Sequence, residues 1–187
     1  MKWYEYLRDF LAKQATSAWL KDAMRGAALG EAGIVADIIS TGFDADADEI
    51  AKRSQIVQYM RAQIGKPYRL GAEVKPGAEW DAYDLDCSEA TEAAFRIACL
   101  PLPDGAQNQF NATQPVKEGR PGDLHFLWSD KRAMIGHVMV DSGAGTVIHA
   151  VGGRGVVEDP LTMWSVIPRY RGVRRHQEFA REPHERA

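Results

Sequence analysis

The period of the apolar residues changes once along the chain, around Pro101 and Pro103, and that change limits the folds open to it. Before the prolines, Trp3, Leu7, Phe10 and Leu11, then Trp19, Leu20, Ala23, Met24 and Ala27, recur at three- and four-residue steps, the spacing of helices with one apolar face. A second helix is expected from about Asp46 to Ile64. Asp44 or Asp46 can cap it, further acids suit the positive end of its dipole, and Gly65-Lys66-Pro67 stops it. A third is expected from Cys87 to about Cys99. After the prolines come short β-branched or aromatic runs between turn residues: Asp123 to Trp128, His137 to Val140 and Thr146 to Val151, with Val156-Val157 and Val166-Ile167 as two more candidate strands. Helices followed by strands predict an α+β fold.

Composition agrees with one real core. The chain of 187 residues is 45% hydrophobic and 26% charged, which excludes global disorder and a disulfide scaffold. A net charge of −3 creates no field that would recruit nucleic acid. The start, Met1-Lys2-Trp3-Tyr4-Glu5, has charges where a secretion signal needs an apolar stretch. The most apolar run, Ala27 to Ser40, is broken by Glu31 and Asp37, whereas a bilayer span needs about 20 apolar residues. The expectation is therefore a chain made in the cytoplasm, with no transmembrane segment. It divides into a helical extension (1–43), a main domain (44–172) and a charged tail (173–187) expected to be frayed.

Cys87 is the first candidate for chemistry. It lies in Leu85-Asp86-Cys87-Ser88-Glu89, where a loop turns into an amphipathic helix, and unpaired N–H groups at a helix start favour thiolate. The alternative is a buried core cysteine, the reading given to Cys99 among Ile97, Ala98 and Leu100. His137 and His149 flank the turn Ser142-Gly143-Ala144-Gly145. A hairpin folded about Gly143 puts them opposite each other on one face and Val138 opposite Ile148 on the other; a bulge would shift that register. A thiol on a helix packed against that sheet then has His137 as base and His149 to orient it. The alternatives are two structural histidines, or a zinc site shared with Cys87. His125 reads as a core or surface residue, and His176 and His184 as solvated.

Five segments occur in order: Gly65-Lys66-Pro67-Tyr68-Arg69-Leu70-Gly71, Asp86-Cys87-Ser88, Arg120-Pro121-Gly122-Asp123-Leu124, Gly136-His137-Val138 and Ile148-His149-Ala150. This succession, over roughly residues 62–160, resembles the NlpC-type cell-wall peptidases, papain-like cysteine enzymes that cut peptidoglycan stem peptides. The resemblance implies an α+β papain-like fold, with the cysteine at a helix start against an antiparallel sheet. It implies Cys87 as nucleophile, His137 as base and His149 as the third polar residue. It also places the Tyr68 hydroxyl near thiol and substrate, and Asp86 and Ser88 beside the nucleophile, with Ser88 lining the groove. As plain sequence, Asp86 or Ser88 could equally be a helix cap. The Pro121-Gly122-Asp123 turn reads as structural.

Two positions depart from the family pattern. Glu89 replaces the usual glycine after Asp-Cys-Ser, and Ala72 follows Gly71 where a second glycine is common. Glu89 either narrows the groove or is an exposed helical residue. The resemblance implies a peptidoglycan stem peptide as substrate and no metal or organic cofactor. A chain without a leader could reach the wall in a phage tail or by release at lysis, with residues 1–43 docking on tail proteins or covering the domain's own apolar surface. The rival readings are acyl transfer or amidase action on the same triad, and an idle structural virion protein. If residues 1–43 are a docking element, deleting Met1 to Gly42 should leave a domain that melts cooperatively. Precipitation or loss of the cooperative melt would assign those helices to the core.

Overall fold

A computed structural model describes residues 47–180. The helices expected in 1–43, the cap at Asp44 or Asp46, and His184 lie outside the described residues. Helix α1 spans Ala47–Ala62, a 3-10 turn spans Glu79–Asp81, and α2 (Cys87–Ile97) and α3 (Ala106–Asn111) follow. The strands are β1 (Thr113–Val116), β2 (Leu124–Ser129), β3 (Met134–Gly143), β4 (Thr146–Val151) and β5 (Gly155–Pro160). A short α4 (Thr162–Ser165), strand β6 (Tyr170–His176) and a last turn α5 (Gln177–Ala180) complete it. The strands form one antiparallel sheet in the order β1-β6-β2-β3-β4-β5. The architecture is α+β and papain-like. No described helix is long and apolar enough to cross a membrane.

The sheet is covered on both faces. On one, Leu124, Phe126, Val138, Val140, Ile148 and Ala150 pack against Ile56, Val57 and Met60 of α1 and Ala90, Ala94 and Phe95 of α2. On the other, Leu127, Met139 and Val147 pack under Leu161, Trp164, Ile167 and Tyr170. Alternation along β3 and β4 explains the division, since successive side chains point to opposite faces. At Gly136 the β2–β3 register slips, with Leu127 opposite His137 but Trp128 opposite Ile135. That bulge puts Ile135 in the helix-side core and turns His137 to the other face. Glycine is required there because a Cβ would collide with the Ser129 side chain.

Several expectations are corrected. Helix α2 ends before the prolines: Cys99 N–H bonds to Arg96 O (3.0 Å) and Leu100 N–H to Phe95 O (2.9 Å), the pattern of a Schellman cap. Cys99 takes the left-handed position of that cap, with φ 57°, and is exposed rather than in the core. Val166-Ile167 is not a strand; the last strand begins at Tyr170. Residues 173–176 belong to β6, which lies between β1 and β2, so a frayed tail does not begin at 173. His176 is buried there, against the rings of Phe95 and Phe179.

The reason β6 is held is a buried charge network. Asp123, fully buried at the start of β2, accepts from Arg53 of α1 at 3.0 Å and from Arg175 of β6 at 2.7 Å. Arg53 also pairs with Glu49 at 2.7 Å and donates to Pro121 O at 2.8 Å. Removing one partner strands the others in a low dielectric, at a cost of about 3–5 kcal/mol. Asp123→Ala is therefore expected to lower unfolding free energy by about that amount in denaturant titration. A loss below about 1 kcal/mol would show that the network holds nothing together.

Candidate active site

The start of α2 is built by one carboxylate. Asp86 Oδ1 accepts from the N–H of Ser88 (3.0 Å) and of Glu89 (2.9 Å) and from Ser88 Oγ (3.0 Å). Its other oxygen accepts from Gly71 N–H at 2.9 Å. Asp86 is thus the N-cap and also the tie to the loop that carries Tyr68. Strand-like bonds complete that tie, from Arg69 N–H to Leu85 O (3.2 Å) and from Leu85 N–H to Pro67 O (3.1 Å). Tyr68, Asp86, Cys87 and Ser88 accordingly line one open groove, with Gln107, Arg132 and Gly136 opposite. Ser88 lines it as expected, but its hydroxyl is committed to Asp86.

Glu89 is neither exposed nor in the groove. It is 6% exposed and accepts from Val74 N–H at 3.0 Å, with Arg96 3.9 Å away. It anchors the loop that follows Gly71. Burial raises its pKa to about 7.

Cys87 is 8% exposed, and burial pushes its thiol up to about 11, opposite to the lowering expected from a helix start. The N–H groups of Val138, Ser88 and Cys87 itself pull the other way, and the Asp86 charge adds to the rise. The β3–β4 ladder runs from Gly143–Thr146 to Val140–Ile148 and stops, so Val138, whose N–H is among the groups that pull the thiol down, lies beyond its last pair. The thiol therefore lies against the strand one residue beyond His137.

His137 and His149 are joined by a 2.7 Å bond between Nε2 of His137 and Nδ1 of His149. They do not sit directly opposite each other. Val140, not Val138, faces Ile148, so the register is displaced by two residues from the expected one. A shift of two preserves the face, and the rings still meet diagonally. Trp164 covers them, its ring 5.0 Å from that of His149 and 6.2 Å from that of His137. Burial lowers the His137 pKa to about 3, with the neighbouring His149 adding to the fall, so the ring is neutral at ordinary pH.

Thiol and imidazoles approach the same stretch of β3 from its two sides. Among the described residues no hydrogen bond joins the Cys87 thiol to His137. The bond to His149 uses Nε2 and leaves Nδ1 of His137 outside the pair. Zinc is a poorer fit. Among the described residues the donor atoms of Cys87, His137 and His149 do not gather within 4.8 Å of one another, and the one group that does, Glu89, Glu92 and Asp104, lies elsewhere. His125 is a satisfied core histidine, 2.7 Å from the Tyr170 hydroxyl and 3.0 Å from Asp141.

Residues 65–175 match the model of the NlpC/P60 family. The chain belongs to the NlpC/P60 family. Among solved structures, it resembles a lipoprotein-like NLP/P60 protein of Staphylococcus aureus, with 25% identity and a TM-score of 0.57 over 71% of this chain and 43% of that one. This chain thus spans less than half of that protein. The peptidoglycan hydrolase RipB of Mycobacterium tuberculosis matches at 20% identity and TM-score 0.55, over 88% of both chains. RipD of the same organism, described as a non-catalytic NlpC/P60 protein adapted to peptidoglycan binding, matches at 18% identity and TM-score 0.53, over 66% of this chain and 95% of RipD. No curated protein matches the chain.

Two residues near the histidines were missed in the sequence. Asp159 lies 3.1 Å from Nε2 of His149, and Arg154 grips both oxygens of Asp159 at 2.8 and 2.7 Å. The available signal was parity: in a hairpin centred on Gly153 paired numbers sum to 306, and His149 and Asp159, ten residues apart, then share a face.

The Glu89 environment gives a stability test. Its folded pKa of about 7 lies above the ordinary 4.5, so the folded state binds more protons between those values. Stability is expected to fall as pH rises through that window and to level off above it. Glu89→Gln should flatten this part of the profile in thermal melts from pH 4 to 8. An unchanged slope would place the titration on another group.

Proposed function

We propose that this NlpC/P60 chain is a cysteine endopeptidase that hydrolyses an amide bond of a peptidoglycan stem peptide, with Cys87, His137 and His149 as its working residues. The observation that carries the reading is the 2.7 Å bond between the two histidines, which stand on the strands against which the helix of Cys87 packs. The resting site pairs a neutral thiol with a neutral imidazole, because burial disfavours both charged forms. Attack on the substrate carbonyl carries the thiol proton to Nδ1 of His137 while sulfur bonds to carbon. The imidazolium is stabilised through Nε2 by His149 and then gives its proton to the leaving amine. Water hydrolyses the thioester with His137 again as base.

The cap supports the same chemistry. Asp86 takes the N–H groups of Ser88 and Glu89, while the Cys87 N–H stays beside the thiol and is the donor proposed for the oxyanion. The Tyr68 hydroxyl is proposed as a second polar contact; burial and the neighbouring Cys87 raise its pKa and keep it a donor. Delivery in a phage tail or by release at lysis completes the reading, with residues 1–43 as the docking element.

Purified muropeptides incubated with the protein and weighed by mass spectrometry test this. New amine and carboxyl termini mean hydrolysis, an acylated acceptor means transfer, and no change under several conditions means an idle fold. Cys87→Ala and His137→Ala should each lower turnover by about 10⁴-fold or more. His149→Asn, which keeps an acceptor for His137, should retain at least about tenfold more activity than His149→Ala. Equal loss in those two variants would remove His149 from the triad. In a Cys99→Ser background, where the exposed thiol no longer reacts, alkylation of Cys87 should slow on His137→Ala.

A further inference from the structure

Beyond the three working residues, the hydrogen bonds run on from His149 to Asp159 and then to Arg154. Asp159 is 5% exposed and His149 fully buried, so water does not compete for their 3.1 Å bond. The β4–β5 register fixes it: Val147 faces Asp159 and His149 faces Val157, so both side chains lie on the face under Trp164. The turn that carries Arg154 is itself pinned. Gly65 N–H donates to Val156 O and Val156 N–H to Lys66 O, both at 2.9 Å, and Gly155 passes so close to Lys66 O that a Cβ would collide with it.

We propose that Asp159, clamped by Arg154, is a positioning residue that selects the tautomer of His149 and, through it, the tautomer of His137. The proposal rests on the peptidase reading for its kinetic consequence, but not for the tautomers themselves. An ionised carboxylate can only accept. Nε2 of His149 must therefore carry the proton, and Nδ1 of a neutral His149 is left as a lone pair. The 2.7 Å bond to His137 must then be donated by His137 Nε2–H. A neutral His137 so arranged has its lone pair on Nδ1, the one nitrogen not used in the pair and the one able to take the thiol proton. The opposite tautomers would put a proton on that nitrogen and disable the base.

Arg154 has its own part. A lone carboxylate beside a buried imidazole favours imidazolium, which could not accept from His137. The guanidinium holds both oxygens of Asp159, keeps the acid ionised, with its pKa lowered to about 2, and opposes protonation of His149. Asp159 thus acts as an acceptor and not as a counter-charge.

The test reads ring nitrogens by ¹⁵N NMR, in which protonated and bare nitrogens are well separated. In the wild-type protein near pH 7, both His137 and His149 should carry their proton on Nε2. Finding it on Nδ1 of His149 overturns the proposal without any mutation. In Asp159→Leu, the Nδ1–H forms should appear on both rings, and kcat should fall on the order of 10²-fold with KM little changed. The same substitution in a His149→Asn background should cost less than about threefold, because an amide oxygen accepts from His137 with no tautomer to select. A rate loss with unchanged tautomers, or the same loss in both backgrounds, would make Asp159 merely structural and overturn the proposal. A wild type that cleaves no muropeptide while showing the expected tautomers would sink the peptidase reading and leave the positioning intact.

Discussion

A fully buried carboxylate, Asp123, ties together elements that are far apart in the chain. It receives Arg53 from the first described helix and Arg175 from β6, while itself opening β2. Two guanidinium groups and two carboxylates, counting Glu49, share one dry space, so each charge is tolerable only while the others are present. This constraint docks α1 against the sheet and holds β6 between β1 and β2. The helix-side core then closes around α2 and carries Cys87 to the sheet.

At the site a second carboxylate works on a smaller scale. Asp86 satisfies the first N–H groups of α2 and fastens Gly71, so helix start and Tyr68 loop are built as one piece. The seam where β3 and β4 stop pairing supplies the other half. The ladder ends at Val140–Ile148, and the stretch beyond it carries His137, Val138 and His149.

Burial acts on every titratable group in this region, and with different results. It raises Cys87 and Glu89 and lowers His137, whereas Asp159 stays low because Arg154 bonds to it. The helix dipole at Cys87 is present, but removing the thiol from water outweighs it. Thiol and imidazole are thus both held in their neutral forms.

The sequence by itself determined the α+β order, the helix beginning at Cys87, strands β2 to β5 and the shared face of His137 and His149. These follow from local periodicity, from turn residues and from a parity that survives a shift of two. Only the tertiary structure decided what depends on distant partners. Arg175 and His176 look like part of a charged tail until Asp123 and the Phe95 and Phe179 rings receive them. Cys99 sits among apolar neighbours in the chain, yet a left-handed cap turns it to solvent. Glu89 could be weighed only as exposed or groove-facing until the folded loop offered Val74 N–H. Asp159 carried only a parity signal and Arg154 none, because an acid on a strand acquires meaning only from the ring that register brings beside it. Periodicity is written in neighbours along the chain; burial and the pairing of charges are properties of contacts that exist only once the chain has closed.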